Sequence, residues 1–176
     1  MKKKIFIITL VLVLLAVFSY LFFYKKSSFK NIFSDTATTT STTISGTREY
    51  RNGVRNFSLF YPEDLTYKEY QEGELAYTIV FEDKTKEKNF QIFFTPYLGE
   101  TITNERLLKD VPSGDYTELV EVVLDDGTHA IVFFSNGPLG KLREVWFIKD
   151  GFLYEVTTYE HLDVWLSDIM KSWKFL

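Results

Sequence analysis

Residues 142–159 read LREVWFIKDGFLYEVTTY, two apolar-rich runs hinged at Asp150-Gly151. Leu142 to Lys149 and Phe152 to Tyr159 are dense in aromatic and β-branched residues, which suit a pleated surface. A two-residue loop of this type accepts the positive φ angles of a type I′ turn, so the pair is a hairpin. With Asp150 and Gly151 as the loop, Phe147 faces Tyr154 and Val145 faces Val156 on one side of the ribbon. On the other side Ile148 meets Leu153 and Trp146 meets Glu155. Both sides carry bulky apolar groups, so both faces of this sheet are expected to be covered.

More strands flank the hairpin. Thr117 to Leu124 and Thr128 to Ser135 form a second pair joined at Asp125-Asp126-Gly127. Leu75 to Glu82 and Phe90 to Tyr97 form a third around the charged loop Asp83 to Lys88. Phe57 to Tyr61 is a short strand stopped by Pro62. Thr103 is a candidate N-cap for a short helix through Lys109. Leu162, Trp165, Leu166, Ile169, Met170 and Trp173 recur at three- and four-residue spacing and draw one apolar stripe along a last helix. Asp163, Ser167, Asp168 and Lys171 take its opposite side. At that spacing Trp165 and Trp173 are core residues and not a ligand box. The expected fold is α+β, an antiparallel sheet covered by helices in an α-β-α sandwich.

The 129 residues 48–176 suit one compact domain. Ahead of them lies a low-complexity linker, residues 27–47. From Ser34 to Thr47 ten of fourteen residues are Ser or Thr. That stretch buries too little apolar surface to offset its ordering entropy, so it is read as a mobile tether, reaching ~45 Å at ~3.3 Å per residue. It is also a candidate for O-linked sugars.

Residues 1–26 carry the other decisive signal. Ile5 to Tyr24, IFIITLVLVLLAVFSYLFFY, is uncharged throughout and flanked by lysines. As a helix it is ~30 Å long, the thickness of a bilayer's hydrocarbon core. Lys2, Lys3 and Lys4 precede it, and Lys25, Lys26 and Lys30 follow. The short leader favours a signal-anchor with a cytoplasmic N-terminus and an extracytoplasmic C-terminal domain. A cleaved signal peptide is the competing reading, but the closest small-x-small site, Val17-Phe18-Ser19, sits inside the apolar run. The expected location is therefore the cell membrane, with the bilayer engaged through residues 5–24.

Charge and cysteine content narrow the function. The first thirty residues hold six lysines and no acids, whereas Arg48 onward holds 14 basic and 23 acidic residues, a formal net of -9. So acidic a domain repels phosphate backbones, which argues against nucleic-acid binding. The chain has no cysteine, hence no disulfide, thiolate metal site, cysteine nucleophile or acylated lipoprotein anchor.

No motif carries chemistry with specificity, and no catalytic, cofactor-binding or metal-binding residue is assigned. His129 follows Asp125 and Asp126, which allows an Asp/Asp/His metal site or acid–base pair. Without a second nearby histidine, a surface position beside a turn is the better reading. His161, between Glu160 and Asp163, reads as a helix-start residue. Ser113, Ser135 and Ser167 lack the glycine-rich elbow of a hydrolase. Asn136-Gly137-Pro138-Leu139-Gly140 reads as a hairpin loop, not a phosphate cradle. Tyr67, Tyr70, Tyr97 and Tyr116 are expected in loops or at strand ends, where a ring either packs a sheet edge or meets a partner.

The order of elements then resembles a known family. Phe60-Tyr61-Pro62 closes the first strand, and a hairpin and short helix follow. Next come the Gly127-Thr128-His129-Ala130 strand, the Trp146/Tyr154 hairpin and a terminal Ser172-Trp173-Lys174-Phe175. From about Val54 to Leu176 this resembles the PsbP-like α-β-α sandwich domains of exported bacterial proteins and extrinsic photosystem II subunits. The resemblance implies a non-catalytic domain, here supporting a membrane or cell-envelope complex through an unidentified protein partner, with no cofactor. Plant members associate with a manganese–calcium centre, but no matching ligand set is found in this sequence. The alternatives are a small-ligand or cell-wall-polymer binding module and, third, a hydrolase.

Overall fold

The computed structural model describes residues 46–111 and 113–176. The expected anchor at residues 5–24 and the linker as far as residue 45 lie outside the described residues. Among the described residues no helix is long and apolar enough to cross a membrane.

The central hairpin pairs β8 (Gly140–Lys149) with β9 (Phe152–Tyr159) in the expected register. Phe147 faces Tyr154, Val145 faces Val156, Ile148 faces Leu153 and Trp146 faces Glu155. Asp150 and Gly151 both have positive φ, 48° and 75°, as a type I′ turn requires.

Around this ribbon a seven-stranded antiparallel sheet is laid in the order β3 (Thr66–Gln71), β4 (Tyr77–Glu82), β5 (Asn89–Pro96), β9, β8, β7 (His129–Gly137), β6 (Tyr116–Val123). A three-stranded sheet is separate from it. There β2 (Phe57–Pro62) is flanked by β1 (Thr47–Asn52) and by β10, the two residues Lys174–Phe175.

Two helices complete the domain. Helix α1 (Asn104–Asp110) starts at Thr103, whose hydroxyl accepts a hydrogen bond from the Arg106 amide at 3.2 Å. Helix α2 (Asp163–Met170) follows a single 3₁₀ turn at Glu160–Leu162.

The period of two along each strand sorts side chains to two faces. One face carries the larger core. Ile79, Phe81, Phe90, Ile92, Phe94, Phe147, Tyr154 and Val156 of the large sheet meet Tyr50, Phe57, Leu59 and Tyr61 of the small one. Leu166, Ile169 and Met170 of α2 close the side of this core. Phe57 sits at its middle, stacked on Trp173 with ring centres 4.4 Å apart and planes 8° apart. Its edge contacts include Tyr154 at 5.9 Å. On the opposite face a smaller cluster of Phe133, Trp146 and Leu153 is covered by Leu107 of α1 and by Val111 beyond it.

Three expectations need correction. The sandwich is covered on its larger side mainly by the three-stranded sheet, with α2 beside it, not by helices alone. Phe57–Pro62 belongs to that separate sheet. The last helix stops at Met170, and Trp173 lies beyond it, in the turn before β10. Ser172 accounts for the stop. Its hydroxyl donates to the Ile169 carbonyl at 2.6 Å and accepts from the Phe60 amide at 2.8 Å, tying the helix end to β2. Trp173 remains a core residue, 2% exposed.

Trp173→Ala removes the ring on which Phe57 stacks and should cost about 3–5 kcal/mol in chemical denaturation. Gly151→Ala should cost about 1–2 kcal/mol, because only glycine holds a positive φ without a Cβ penalty. Gly53→Ala, where an added Cβ meets nothing within 4 Å, should change stability far less.

Candidate functional site

The ionisable residues named from the sequence do not converge. Asp126 shapes its turn, its carboxylate accepting from the Thr128 amide at 3.0 Å and hydroxyl at 2.9 Å. His129 is exposed beyond it, and Asp125 is exposed as well. Among the described residues no group of three His, Cys, Asp or Glu is placed to hold a metal ion. Exposed His161 lies against Tyr159, ring centres 5.8 Å apart and planes 14° apart. These two, with Leu139, Gly140, Lys141 and Glu160, line an open cleft of about 280 Å³. Lys141 is already paired with Glu160 at 2.9 Å across it.

Other candidates have structural work to do. Pro138 and Leu139 form the two-residue loop between β7 and β8, where Gly137 faces Gly140. Ser113 bonds within its own loop, its hydroxyl donating to the Asp115 carbonyl at 2.8 Å. Tyr67 and Tyr70 lie inside β3, not in a loop, and stay 46% and 40% exposed. Tyr67 leans its ring edge on Tyr50 and Tyr61. Tyr116 opens β6, donates to the Asn104 side chain at 2.6 Å and packs on Phe133. Tyr97 follows β5 and donates to the Thr101 carbonyl at 2.9 Å.

The strongest electrostatic feature was not singled out from the sequence. It is an acid cluster on the face of the large sheet beneath α1, with Glu144 buried and Glu155 half-buried. Strand register builds it row by row. One row runs Phe93, Glu155, Trp146, Ile131, and the next runs Gln91, Thr157, Glu144, Phe133.

Glu144 is 3% exposed and accepts three hydrogen bonds. They come from Ser135 at 2.8 Å, the Trp146 indole at 3.1 Å and Thr157 at 2.6 Å. Burial still outweighs these donors and raises its pKa. Glu155 has less help. From α1 the Arg106 guanidinium comes within 3.9 Å, and Arg106 is also ion-paired with Asp110 one turn on. Burial first, then the Asp110 carboxylate, push the Glu155 carboxyl up to about 8, against the pull of Arg106. The neutral form of Glu155 is therefore favoured beside the Arg106–Asp110 ion pair.

A signal for this cluster was present in the sequence. The hairpin register puts Glu155 opposite Trp146, and a face covered over Trp146 buries its neighbours as well. Chemically the cluster favours the protonated form of both glutamates. It lies under α1 and not in the described cleft, and Glu144 and Ser135 are closed to solvent.

This arrangement, a large antiparallel sheet with a small sheet and helix on one face and a helix on the other, is a PsbP-like fold. The solution structure of cyanobacterial PsbP (CyanoP) from Synechocystis sp. PCC 6803 is similar to it, with a TM-score of 0.58 at 12% identity. The match covers 80% of this chain and 98% of that one. A Pseudomonas aeruginosa protein of unknown function, PA94, described as a putative regulator, matches at a TM-score of 0.38 and 15% identity. That match covers 72% of this chain and 94% of that one, and its overlap is too loose to support an inference. No protein-family description matches the chain, and no curated protein does.

Glu144→Ala leaves the Ser135 and Thr157 hydroxyls and the Trp146 indole without their acceptor. It should destabilise the domain by about 2–5 kcal/mol. Glu144→Gln keeps the shape and should cost clearly less, both read from urea midpoints at pH 7.

Proposed function

We propose that this chain is a single-pass membrane protein that presents residues 48–176 outside the cytoplasm as a non-catalytic binding domain, helping a membrane or envelope complex to assemble or stay together. The apolar run at residues 5–24 and the Ser/Thr-rich tether behind it support the anchoring. The PsbP-like fold supports a non-catalytic role, as does the enclosure of the acid cluster beneath α1.

One observation carries the binding role. Strand β6 forms an edge of the large sheet and leaves Leu119, Val120 and Val123 exposed, the two valines at 52% and 60%. Such side chains on an edge strand are a ready contact for another protein. The edge is not built for simple strand addition. A bulge between Thr117 and Val120, with Glu118 at a φ of 56°, breaks its backbone pattern. Contact through side chains fits it better than a shared ladder.

The open cleft beside Tyr159 and His161 supports the second reading, a site for a small ligand or wall polymer.

The test is in-cell crosslinking and pull-down of the full-length chain, beside residues 48–176 exported without the anchor and beside a Val120→Asp/Val123→Asp variant. Both valines are exposed, so the variant should fold with wild-type stability. One membrane complex should be recovered with the anchored wild type and severalfold less with the other two forms. Equal recovery with the variant removes β6 as the contact. Recovery of no protein above background removes the assembly role and leaves the cleft to be screened with sugars and peptides.

A further inference from the structure

The geometry points to a pH-sensitive latch: α1 stays docked while Glu155 keeps its proton, and losing that proton lifts α1 from the sheet and uncovers Phe133, Trp146 and Leu153.

Helix α1 is seven residues long, well short of the ~12–15 at which an isolated helix becomes even marginal in water. Its helical state therefore depends on docking. Besides the Tyr116 hydroxyl bonded to Asn104 at its first residue, two kinds of contact dock it. Leu107, and Val111 just past the helix, cap the small apolar cluster. One turn along the same side, Arg106 and Asp110 meet Glu155.

Charge decides how secure that second contact is. The charged groups around Glu155 are Arg106 and Asp110 from α1 and Glu144 from β8. Its β5 neighbour is Phe93, and β7 brings Ile131, Phe133 and Ser135 to this face, all uncharged. Three carboxyls thus share one guanidinium. Glu144 is served by the Ser135, Thr157 and Trp146 donors. Asp110 takes Arg106. With Glu155 protonated the site balances, and its carboxyl is a donor available to Asp110. With Glu155 ionised, a second carboxylate faces Asp110 in a half-buried setting, and both must draw on Arg106.

The sign follows from linkage. While α1 is docked, Glu155 holds its proton up to about pH 8. Once α1 is released, Glu155 meets water and titrates in the ordinary carboxylate range. Between those limits the docked state binds the extra proton. Docking is then strongest below the ordinary carboxylate range and weakens by roughly tenfold per pH unit as pH rises to the docked value. The weakening falls between the ordinary carboxylate range and about pH 8, and docking loses no further strength above that. Release would bare two large aromatic rings and a leucine on a face that is otherwise closed.

The test is a pH titration by NMR of the full chain in detergent micelles. It follows the Glu155 carboxyl carbon, the Trp146 indole N–H and the amides of residues 104–111 from pH 5 to 9.5. The Trp146 indole reports directly, because it donates to Glu144 beneath the helix. In the wild type the Glu155 carbon should titrate far above the ordinary carboxylate range, with the indole and the α1 amides moving at the same midpoint. Glu155→Gln should remove that midpoint from the indole and amide signals. Asp110→Asn should lower it. The latch is overturned if Glu155 titrates as an ordinary carboxylate, or if the indole and α1 signals stay still while it titrates. A transition that survives in Glu155→Gln overturns it equally. The wild-type titration decides the matter even if a variant does not fold.

Discussion

Everything in this domain depends on the register of the β8–β9 hairpin. Asp150 and Gly151 both sit at positive φ, so the loop is two residues long and the strands cannot slide. A slip of one residue would send Phe147 and Tyr154 to the α1 side and bring Trp146 and Glu155 into the larger core. With the register held, β5 is laid against β9, and Phe94 lines up with Tyr154. On the other flank β7 is laid against β8, and Ala130 lines up with Phe147. The separation of one large aromatic core from one small mixed cluster follows from that single turn.

The two faces then solve different problems. The larger core is almost wholly aromatic and aliphatic, and it is closed by a second sheet assembled from distant parts of the chain. Its tyrosines bring hydroxyls into it, and Tyr50 donates to Glu69 at 2.6 Å while burial raises its phenol. The α1 face instead accepts two glutamates among its aromatic rings. One is fully supplied with donors. The other is left to share a helix-borne arginine with an aspartate, an arrangement that depends on its own protonation.

Much of this was legible in the sequence because it rests on local rules. The three hairpin pairs, the Thr103 cap, the buried Trp173 and Trp165, half-buried against the same core, each follow from turn chemistry or periodicity. Strand β3 was not legible. Its sequence TYKEYQ is exposed at every position, so no alternation marks it. Strand β10 is two residues long and exists only because β2 is there to pair with. The periodic stripe ran on through Trp173, but Ser172 turns the chain out of the helix by bonding to β2, a partner 112 residues away. The acid cluster was half legible. The facing of Trp146 and Glu155 was readable from register, whereas the arrival of Arg106 and Asp110 over them depends on how a distant helix docks.

The stack of Phe57 on Trp173 also has a consequence for how the chain finds its fold. The two rings at the heart of the larger core are 116 positions apart, and β10 pairs with β2 over the same span. Until residues 172–175 are available, the small sheet lacks one strand and Phe57 lacks its partner ring. A chain emerging in order from its N-terminal side can form its hairpins early, but it must wait for that segment before it seals. During this interval the aromatic face stays open, and the nascent chain is at its most exposed to chaperones and to self-association.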